Sequence, residues 1–158
     1  MHLQGINEKY RAAVNQILWD EWHCPPSISK GNIIDTTSLP GLLFIKEDEI
    51  KGVITYHIED EECEIVTLNS FEDNTGIGTA LINGVLDIAK EFNCKRLWLI
   101  TTNDDINAIR FYQRKGFDLK AAHINAMDHS RKLKPSIPLI GMDNIPIKHE
   151  LEFEILLQ

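Results

Sequence analysis

The chain has 158 residues, of which 43% are hydrophobic and 25% charged, the composition of one ordinary globular domain. Its net charge of −8 at pH 7 excludes a general nucleic-acid binder, because neutralising phosphates requires a basic face. No apolar run approaches the roughly 20 residues that span a bilayer. The N-terminus lacks the basic and apolar segments of a signal peptide. We therefore expect a cytoplasmic protein with no membrane partner.

The cysteines and histidines predict neither a disulfide framework nor a metal site. Cys24, Cys63 and Cys94 are odd in number and lack CxxC spacing. The six histidines are scattered singly, and no pair of them combines helical ligand spacing with a nearby acid. We expect three reduced thiols that pack as small hydrophobic groups.

The N-terminal part of the chain predicts a helix, a loop and a hairpin. Apolar residues at helical spacing run from Tyr10 to Trp22, and a proline pair ends this helix. A loop rich in Ser, Gly and Asn is expected over 27–40. Two strands follow, over 42–46 and 51–58, and an acidic turn joins them.

A strand, a long helix and a second strand come next and predict a parallel crossover. The strands cover 62–69 and 96–101. The helix between them is marked by apolar residues at helical spacing: Ile77, Leu81, Val85, Ile88 and Phe92.

The C-terminal part predicts a further helix and two strands. Asn103-Asp104-Asp105 supplies an N-cap and acids for the helix, and Gly116 ends it in the left-handed conformation. Strands are expected from Phe117 and over 151–157. The intervening residues 125–146 are expected to form an irregular excursion of unknown role.

The glycine pair Gly76-Ile77-Gly78 opens the long helix and predicts a phosphate site. Bare N–H groups in a first helical turn, at the positive end of the helix dipole, bind anions. A P-loop is excluded because Thr79-Ala80 stands where Lys-Ser/Thr is needed. A dinucleotide fingerprint is excluded because Leu81 replaces its third small residue and Arg96 stands where its acid is expected.

The glycine loop, together with the segment 107–117, resembles the acyl-CoA-dependent N-acetyltransferases of the GNAT superfamily. The resemblance is firm from about Glu62 to Phe117, and the second motif is the more specific half. That motif is matched at six positions: Asn107, Ala108, Phe111, Tyr112, Gly116 and Phe117. In one departure, Asp73 stands where the family usually has Arg or Gln.

The resemblance implies an α/β (α+β) fold with a mixed, largely antiparallel sheet of six to seven strands. Helices are expected on both faces of this sheet, around a central parallel β-α-β crossover. It also implies one domain over 1–158 with its cofactor-binding core at about 62–117. The implied activity is transfer of an acetyl group from acetyl-CoA to a primary amine by direct attack in a ternary complex.

The resemblance also implies the cofactor-binding residues. Backbone groups of Val66 and Leu68 would pair with pantetheine, and the Leu68 amide would polarise the thioester carbonyl. The remaining cofactor-binding residues come from the glycine loop and from the segment that follows the second crossover strand: Asp73, Asn74, Thr75, Gly76, Ile77, Gly78, Thr79, Asn103, Asn107, Phe111 and Tyr112.

Three residues are candidates for proton transfer. By resemblance Tyr112 is the acid that protonates the leaving thiolate, with Phe111 packed inward; the alternative is an aromatic core residue. Glu62 and Glu64 are candidate bases, and strict alternation puts both on one strand face with Val66 and Leu68. Either one could instead be a solvated acid.

The acceptor is less defined. By resemblance Trp19 and Trp22 form a flap over it, although two tryptophans in a helix are more often core or helix-packing residues. Tyr56 is a weaker candidate for lining its pocket. The basic segment 130–138 is either an anion site or a solvated helix end. The acidic net charge weakly favours a cationic amine.

Two other functions stay open on the sequence. They are a non-catalytic acyl-CoA-binding or sensing module, which Asp73 favours slightly, and a partner-binding protein that has lost the cofactor. A homodimer is a further expectation from the resemblance, although the sequence marks no interface.

Overall fold

The computed structural model describes residues 2–158 of the chain, which divide into two compact units. Unit 1 runs to Pro25, resumes over Asp35–Leu97 and ends with Leu156–Gln158. Unit 2 comprises Pro26–Ile34 and Trp98–Ile155. The single-domain prediction stays a prediction, and each unit is described by itself.

The described residues contain nine strands and four α-helices. In chain order these are β1 (His2–Gly5), α1 (Glu8–Trp22), β2 (Ser27–Ser29), β3 (Asn32–Ile34), β4 (Gly41–Lys46), β5 (Glu49–Glu59), β6 (Glu62–Ser70), α2 (Ile77–Glu91), β7 (Arg96–Thr102), α3 (Ile106–Arg114), β8 (Asp118–His123), α4 (Ala126–Leu133) and β9 (Glu150–Leu156). Within this part of the chain the strands form a seven-stranded sheet, ordered β1-β4-β5-β6-β7-β9-β8, and the separate hairpin β2-β3.

Unit 1 has a helix on each face of its strands. β1, β4, β5 and β6 pair antiparallel in that order. Val53 of β5 lies in a buried cluster with Val14 and other residues of α1. On the other face, a Cβ added to Gly52 would lie 2.5 Å from Ile77 and 2.9 Å from Leu81, so a glycine is needed where α2 packs closely on β5.

The crossover predicted between β6 and β7 is present. The two strands begin side by side, since the Lys95 N–H donates to the Glu61 carbonyl at 2.7 Å. They are neighbours in the sheet, and α2 connects them along the chain. The predicted fold class, a mixed and largely antiparallel sheet with helices, is therefore confirmed.

Unit 2 contains regular elements in segments expected to be irregular. The expected loop over 27–40 contains the hairpin β2-β3, whose strands have three residues each. The expected excursion over 125–146 contains α4 and one 3-10 turn. The four-residue strand β1 was also not predicted; strands this short carry too few alternating positions for a pattern.

The three cysteines are buried free thiols. None of the helices described over residues 2–158 is long and apolar enough to cross a membrane.

Candidate active site

The start of α2 has the geometry of an anion site. Gly76 precedes the helix in the left-handed conformation, with φ +78°, and no side chain of the described residues caps the first turn. The first turn holds no acidic residue. The first helical bond runs from the Ala80 N–H to the Gly76 carbonyl at 3.0 Å, which leaves the preceding amides without helical acceptors.

The space over this turn is open. A Cβ added to Gly76 would meet nothing within 4 Å. Asp73, Asn74 and Thr75 are exposed, and the Thr75 hydroxyl donates to the Glu72 carbonyl at 2.8 Å, which holds the loop. The structure thus brings the predicted loop residues together in one exposed turn.

A β-bulge interrupts β6 in the middle of the predicted pantetheine strand. Ile65 is opposite Tyr56 and Thr67 is opposite Thr55, so Val66 is a surplus residue with no counterpart on β5. Side chains of directly opposite residues lie on the same face, and the hydroxyls of Thr55 and Thr67 accordingly lie 2.6 Å apart. The bulge shifts the alternation of β6 by one residue.

This shift corrects the expected arrangement of the candidate bases. Glu62 and Glu64 do not share a face with Leu68. They share the α1 side of the sheet with Thr67 and Asn69, whereas Leu68 is opposite Ile54 on the side of α2. Strict alternation failed as a guide because it takes no account of a surplus residue.

The two candidate bases have different surroundings. The Arg96 Nε donates to the Glu62 Oε1 at 2.8 Å, and the two side chains form an ion pair. Glu64 is opposite His57 and only 6% exposed. The two acids therefore differ in burial: Glu62 is partly exposed in its ion pair, and Glu64 is buried within the sheet.

The end of α1 carries an aromatic surface. Trp19 and Trp22 are exposed, and the Trp22 Nε1 donates to the Asn69 Oδ1 at 2.7 Å, which joins the helix to β6. Trp19 makes an edge contact with His23 at 5.5 Å. Tyr56, opposite Ile65, lies on the other side of the sheet from Glu64. Both side chains are too exposed for core residues, while the bond from Trp22 to Asn69 fits the alternative of helix-packing residues.

In unit 2 the burial of the two motif aromatics is the reverse of the expectation. Tyr112 is buried, while Phe111 is half-buried. The Tyr112 ring makes edge contacts with the rings of Phe111 and Phe117, whose centres lie 5.4 Å and 5.5 Å from its own. Burial, with a smaller contribution from Asp105, raises the pKa of Tyr112 well above that of an ordinary tyrosine.

Asn103 and Asn107, the two asparagines predicted to bind the cofactor after β7, have different partners. The Asn103 Oδ1 accepts the backbone N–H groups of Lys148 and His149, both at 2.9 Å, and its Nδ2 donates to the Pro146 carbonyl. Asn107 is exposed at the start of α3 and accepts only a 3.3 Å bond from Arg110 among the described contacts. These bonds favour a structural role for Asn103 and leave Asn107 accessible.

The cap of α3 is Asp105, as predicted from the acidic run. Its carboxylate accepts the Ala108 N–H at 3.0 Å. Asn107 is therefore not needed as the capping group of α3.

A glycine turn that leads into an uncapped helix, after a bulged strand of a mixed sheet, defines a protein that can bind an anionic group at a helix N-terminus. A family model described as the acetyltransferase (GNAT) family matches residues 11–117. The chain therefore belongs to the GNAT acetyltransferase family.

Individual proteins and solved structures are similar to this chain. The chain is 40% identical over 139 residues to the uncharacterized protein YxbD of Bacillus subtilis (strain 168), which covers 87% of each chain. It is similar in fold to an IAA acetyltransferase from Bacillus cereus ATCC 14579, with TM-score 0.75, 14% identity and 99% of both chains covered. A GNAT family acetyltransferase from Elizabethkingia anophelis with acetyl-CoA bound has TM-score 0.71 and 20% identity, with 99% of this chain and 97% of that one covered.

Proposed function

We propose that this protein is an N-acetyltransferase that moves an acetyl group from acetyl-CoA to a primary amine by direct attack in a ternary complex. The observation that carries the proposal is the first turn of α2, which follows Gly76 and has no side-chain cap. Family membership supports acyl transfer. The choice of an amine acceptor rests on the motif resemblance.

The residues at this turn fit the diphosphate of acetyl-CoA. The amides of Ile77, Gly78 and Thr79 would hold it, because they lack helical acceptors and lie at the positive end of the helix dipole. The open space at Gly76 admits a ligand close to the backbone. Acetyl-CoA is bound in the Elizabethkingia anophelis relative, which supports the same cofactor here.

The chemistry divides among a few groups of the chain. When bound, acetyl-CoA supplies the thioester that the amine attacks. A carboxylate removes a proton from the incoming ammonium, either directly or through water. The Leu68 amide stabilises negative charge on the carbonyl oxygen. The Tyr112 hydroxyl donates its proton to the leaving thiolate, whose thiol has an ordinary pKa of about 8.5.

Glu64 is the better candidate for the base. Glu64 lies closer along β6 to the Leu68 amide than Glu62 does, and it is only 6% exposed. We expect Glu64→Gln to lower kcat/KM by about 100-fold or more, the usual range for a general base. Glu62→Gln is the matched control on the same strand; a larger loss in that variant would transfer the role to Glu62.

A non-catalytic acyl-CoA-binding module is the second candidate, and the burial of Tyr112 favours it. A phenol with a strongly raised pKa is a weak proton donor to a thiolate. Tyr112→Phe keeps the aromatic packing and removes only the hydroxyl. In a transferase it should lower kcat with little change in acetyl-CoA affinity, whereas a binding module should show no turnover in either form.

The direct test combines calorimetry with acetyl-CoA and a thiol-release screen of amines. We expect saturable acetyl-CoA binding and thiol release that depends on an amine. Folded protein that gave no heat with acetyl-CoA would exclude both candidates, and binding without thiol release for any amine would favour the sensing module.

Location and assembly complete the proposal. We propose a cytoplasmic protein, which the three buried free thiols support because thiols persist in reducing compartments. We also propose a homodimer, which size-exclusion chromatography with light scattering tests.

A further inference from the structure

The loop that leads from β6 into α2, residues 71–76, contains one acidic side chain that the proposed chemistry does not use. This side chain belongs to Glu72, which is half-buried and follows the end of β6 by two residues. We call residues 71–76 the β6-α2 loop. The loop and all of its partners described below belong to unit 1.

The Glu72 carboxylate bridges two lysines of the neighbouring β4-β5 hairpin. Its Oε2 lies 3.7 Å from the Lys46 Nζ, and its Oε1 lies 3.7 Å from the Lys51 Nζ. Lys46 ends β4 and Lys51 lies in β5, so the two lysines come from the two sides of one tight turn. Lys51 also pairs with Glu49 at 2.7 Å. The carboxylate is therefore anchored to two strands of the sheet.

The backbone of Glu72 organises the rest of the β6-α2 loop. Its carbonyl accepts the Thr75 hydroxyl at 2.8 Å and the Ser70 hydroxyl at 3.2 Å. The preceding N–H, that of Phe71, donates to the Lys51 carbonyl at 2.9 Å. Glu72 thus connects the hairpin, the end of β6 and the later residues of the loop.

The backbone conformation of the β6-α2 loop requires contacts that hold it. Asn74 has φ +56° and Gly76 has φ +78°, both in the left-handed region. Non-glycine residues are uncommon in this region and persist there where the surrounding structure fixes them. The first amides of α2 follow directly after these two residues. The direction in which those amides point therefore depends on the conformation of the loop.

We propose that Glu72 is a positioning residue for the diphosphate site. Its ion pairs with Lys46 and Lys51 hold the β6-α2 loop in the conformation that points the first amides of α2 at the ligand. Glu72 acts through the backbone of the loop and not by touching the diphosphate. The inference rests on the proposed binding of acetyl-CoA and adds to it the group that orders the site.

The direction of a charge effect separates this role from simple electrostatics. A carboxylate near a diphosphate repels it, so removal of the charge would by Coulomb's law alone strengthen acetyl-CoA binding. Loss of a positioning contact weakens binding instead. Asp73, the next residue, carries the same charge, is exposed and joins no ion pair within residues 2–158. It is therefore a matched comparison for Glu72.

Calorimetry with acetyl-CoA is the first test. Glu72→Gln keeps the size of the side chain, removes its charge and should weaken binding at least fivefold. Asp73→Asn should leave the affinity unchanged or raise it. Glu61→Gln removes the same charge from an exposed ion pair with Lys95, just before the start of β6, and should leave the affinity within twofold.

The bond inside the loop provides a second pair of variants. Thr75→Val removes the hydroxyl that donates to the Glu72 carbonyl and should weaken acetyl-CoA binding several-fold, whereas Thr75→Ser keeps the hydroxyl and should retain the affinity within twofold. In Glu72→Gln/Thr75→Val the two losses should be less than additive, because both changes act through the same loop. Additive losses would contradict this shared action.

Stability and kinetics separate a positioning role from a merely structural one. Half-exposed ion pairs contribute little to stability, so Glu72→Gln should shift the melting temperature by less than about 3 °C. In turnover it should raise KM for acetyl-CoA with little change in kcat. A much larger fall in melting temperature, or equal losses of affinity in Glu72→Gln and Asp73→Asn, would overturn the proposal.

Hydrogen exchange without acetyl-CoA separates this inference from the proposed function. The Ala80 N–H, which donates to the Gly76 carbonyl, should exchange several-fold faster in Glu72→Gln than in wild type and at the wild-type rate in Glu61→Gln. A wild type that binds no acetyl-CoA but shows this difference would contradict the proposed function and retain the ordering of the loop by Glu72. Equal acetyl-CoA affinities in wild type and Glu72→Gln would contradict the inference alone.

Discussion

Gly76 and Gly116 are matched in backbone conformation and in their open surroundings, and they differ in their place in the fold. Their φ angles are +78° and +97°, and an added Cβ would meet no atom within 4 Å at either position. Alanine at either site should lower the free energy of unfolding by about 1 to 2 kcal/mol, the cost of a left-handed non-glycine residue. Only Gly76 lies at the proposed diphosphate site.

We therefore predict that Gly76→Ala weakens acetyl-CoA binding tenfold or more, while Gly116→Ala leaves it unchanged. Calorimetry measures the affinities and urea unfolding measures the stabilities. Equal losses of affinity in the two variants would mean that Gly76 matters only for folding.

The buried Glu150 makes stability depend on pH. Its pKa in the folded protein is raised above the ordinary value of 4.5, chiefly by burial. A raised carboxyl pKa gives stability that is full below 4.5 and is lost as pH rises through the folded value. Glu150→Gln removes this loss, so its melting temperature should rise relative to wild type as pH increases from 4.5 towards 7.

Thermal unfolding across this pH range checks the prediction, with Asp118→Asn as the control for net charge. A constant difference between Glu150→Gln and wild type at every pH would show that the Glu150 carboxyl titrates normally. If Glu150→Gln is more stable than the wild type, the ionised Glu150 carboxylate lowers the stability of the folded protein. A function of Glu150 would then account for its retention.

At the scale of residues, sequence reasoning located the glycine loop but not the environment of each side chain. The loop was predictable because glycine spacing and helix polarity act locally. Tertiary packing decides that Tyr112 rather than Phe111 is buried, and a helical motif does not encode this packing. Glu150 and Glu152 alternate along β9 as a solvated face would, yet they are buried.

At the scale of elements, the pairing of β5 with β6 contains one buried polar contact. The hydroxyls of Thr55 and Thr67, 2.6 Å apart, satisfy each other in the sheet. Thr67→Val should lower the free energy of unfolding by about 1 to 3 kcal/mol, because it leaves the Thr55 hydroxyl unsatisfied. Thr55→Val should cost a similar amount.

The double variant Thr55→Val/Thr67→Val should cost less than the two single changes together, because it leaves no orphaned hydroxyl. A urea-unfolding double-mutant cycle measures this coupling. Additive losses would show that the two hydroxyls do not depend on each other.

The long elements were predictable and the short ones were not. α2 repeats its apolar positions over four turns, and β5 and β6 are long enough to show their composition. β2 and β3 have three residues each around a Lys30-Gly31 turn. The bulge at Val66 has no sequence signal, because a surplus residue changes register without changing composition.

At the scale of the whole molecule, the net charge of −8 should attract cationic acceptors. At saturating acetyl-CoA, kcat/KM for 1,4-diaminobutane should fall as salt rises past 0.15 M, where the Debye length is about 8 Å. An aromatic amine that is uncharged at pH 7 should show little change. Steady-state kinetics over a salt series checks this, and equal salt dependence for the two amines would exclude steering by charge.

The surplus residue in β6 divides the strand into two stretches with independent phases. Residues beyond Val66 can be replaced without changing the face of the sheet on which Glu62 and Glu64 lie. Loss of that one residue would instead turn Glu62 and Glu64 towards the apolar side of α2, where an ionised carboxylate is strongly disfavoured. A single-residue deletion here would therefore do more harm than most replacements of the residues on either side.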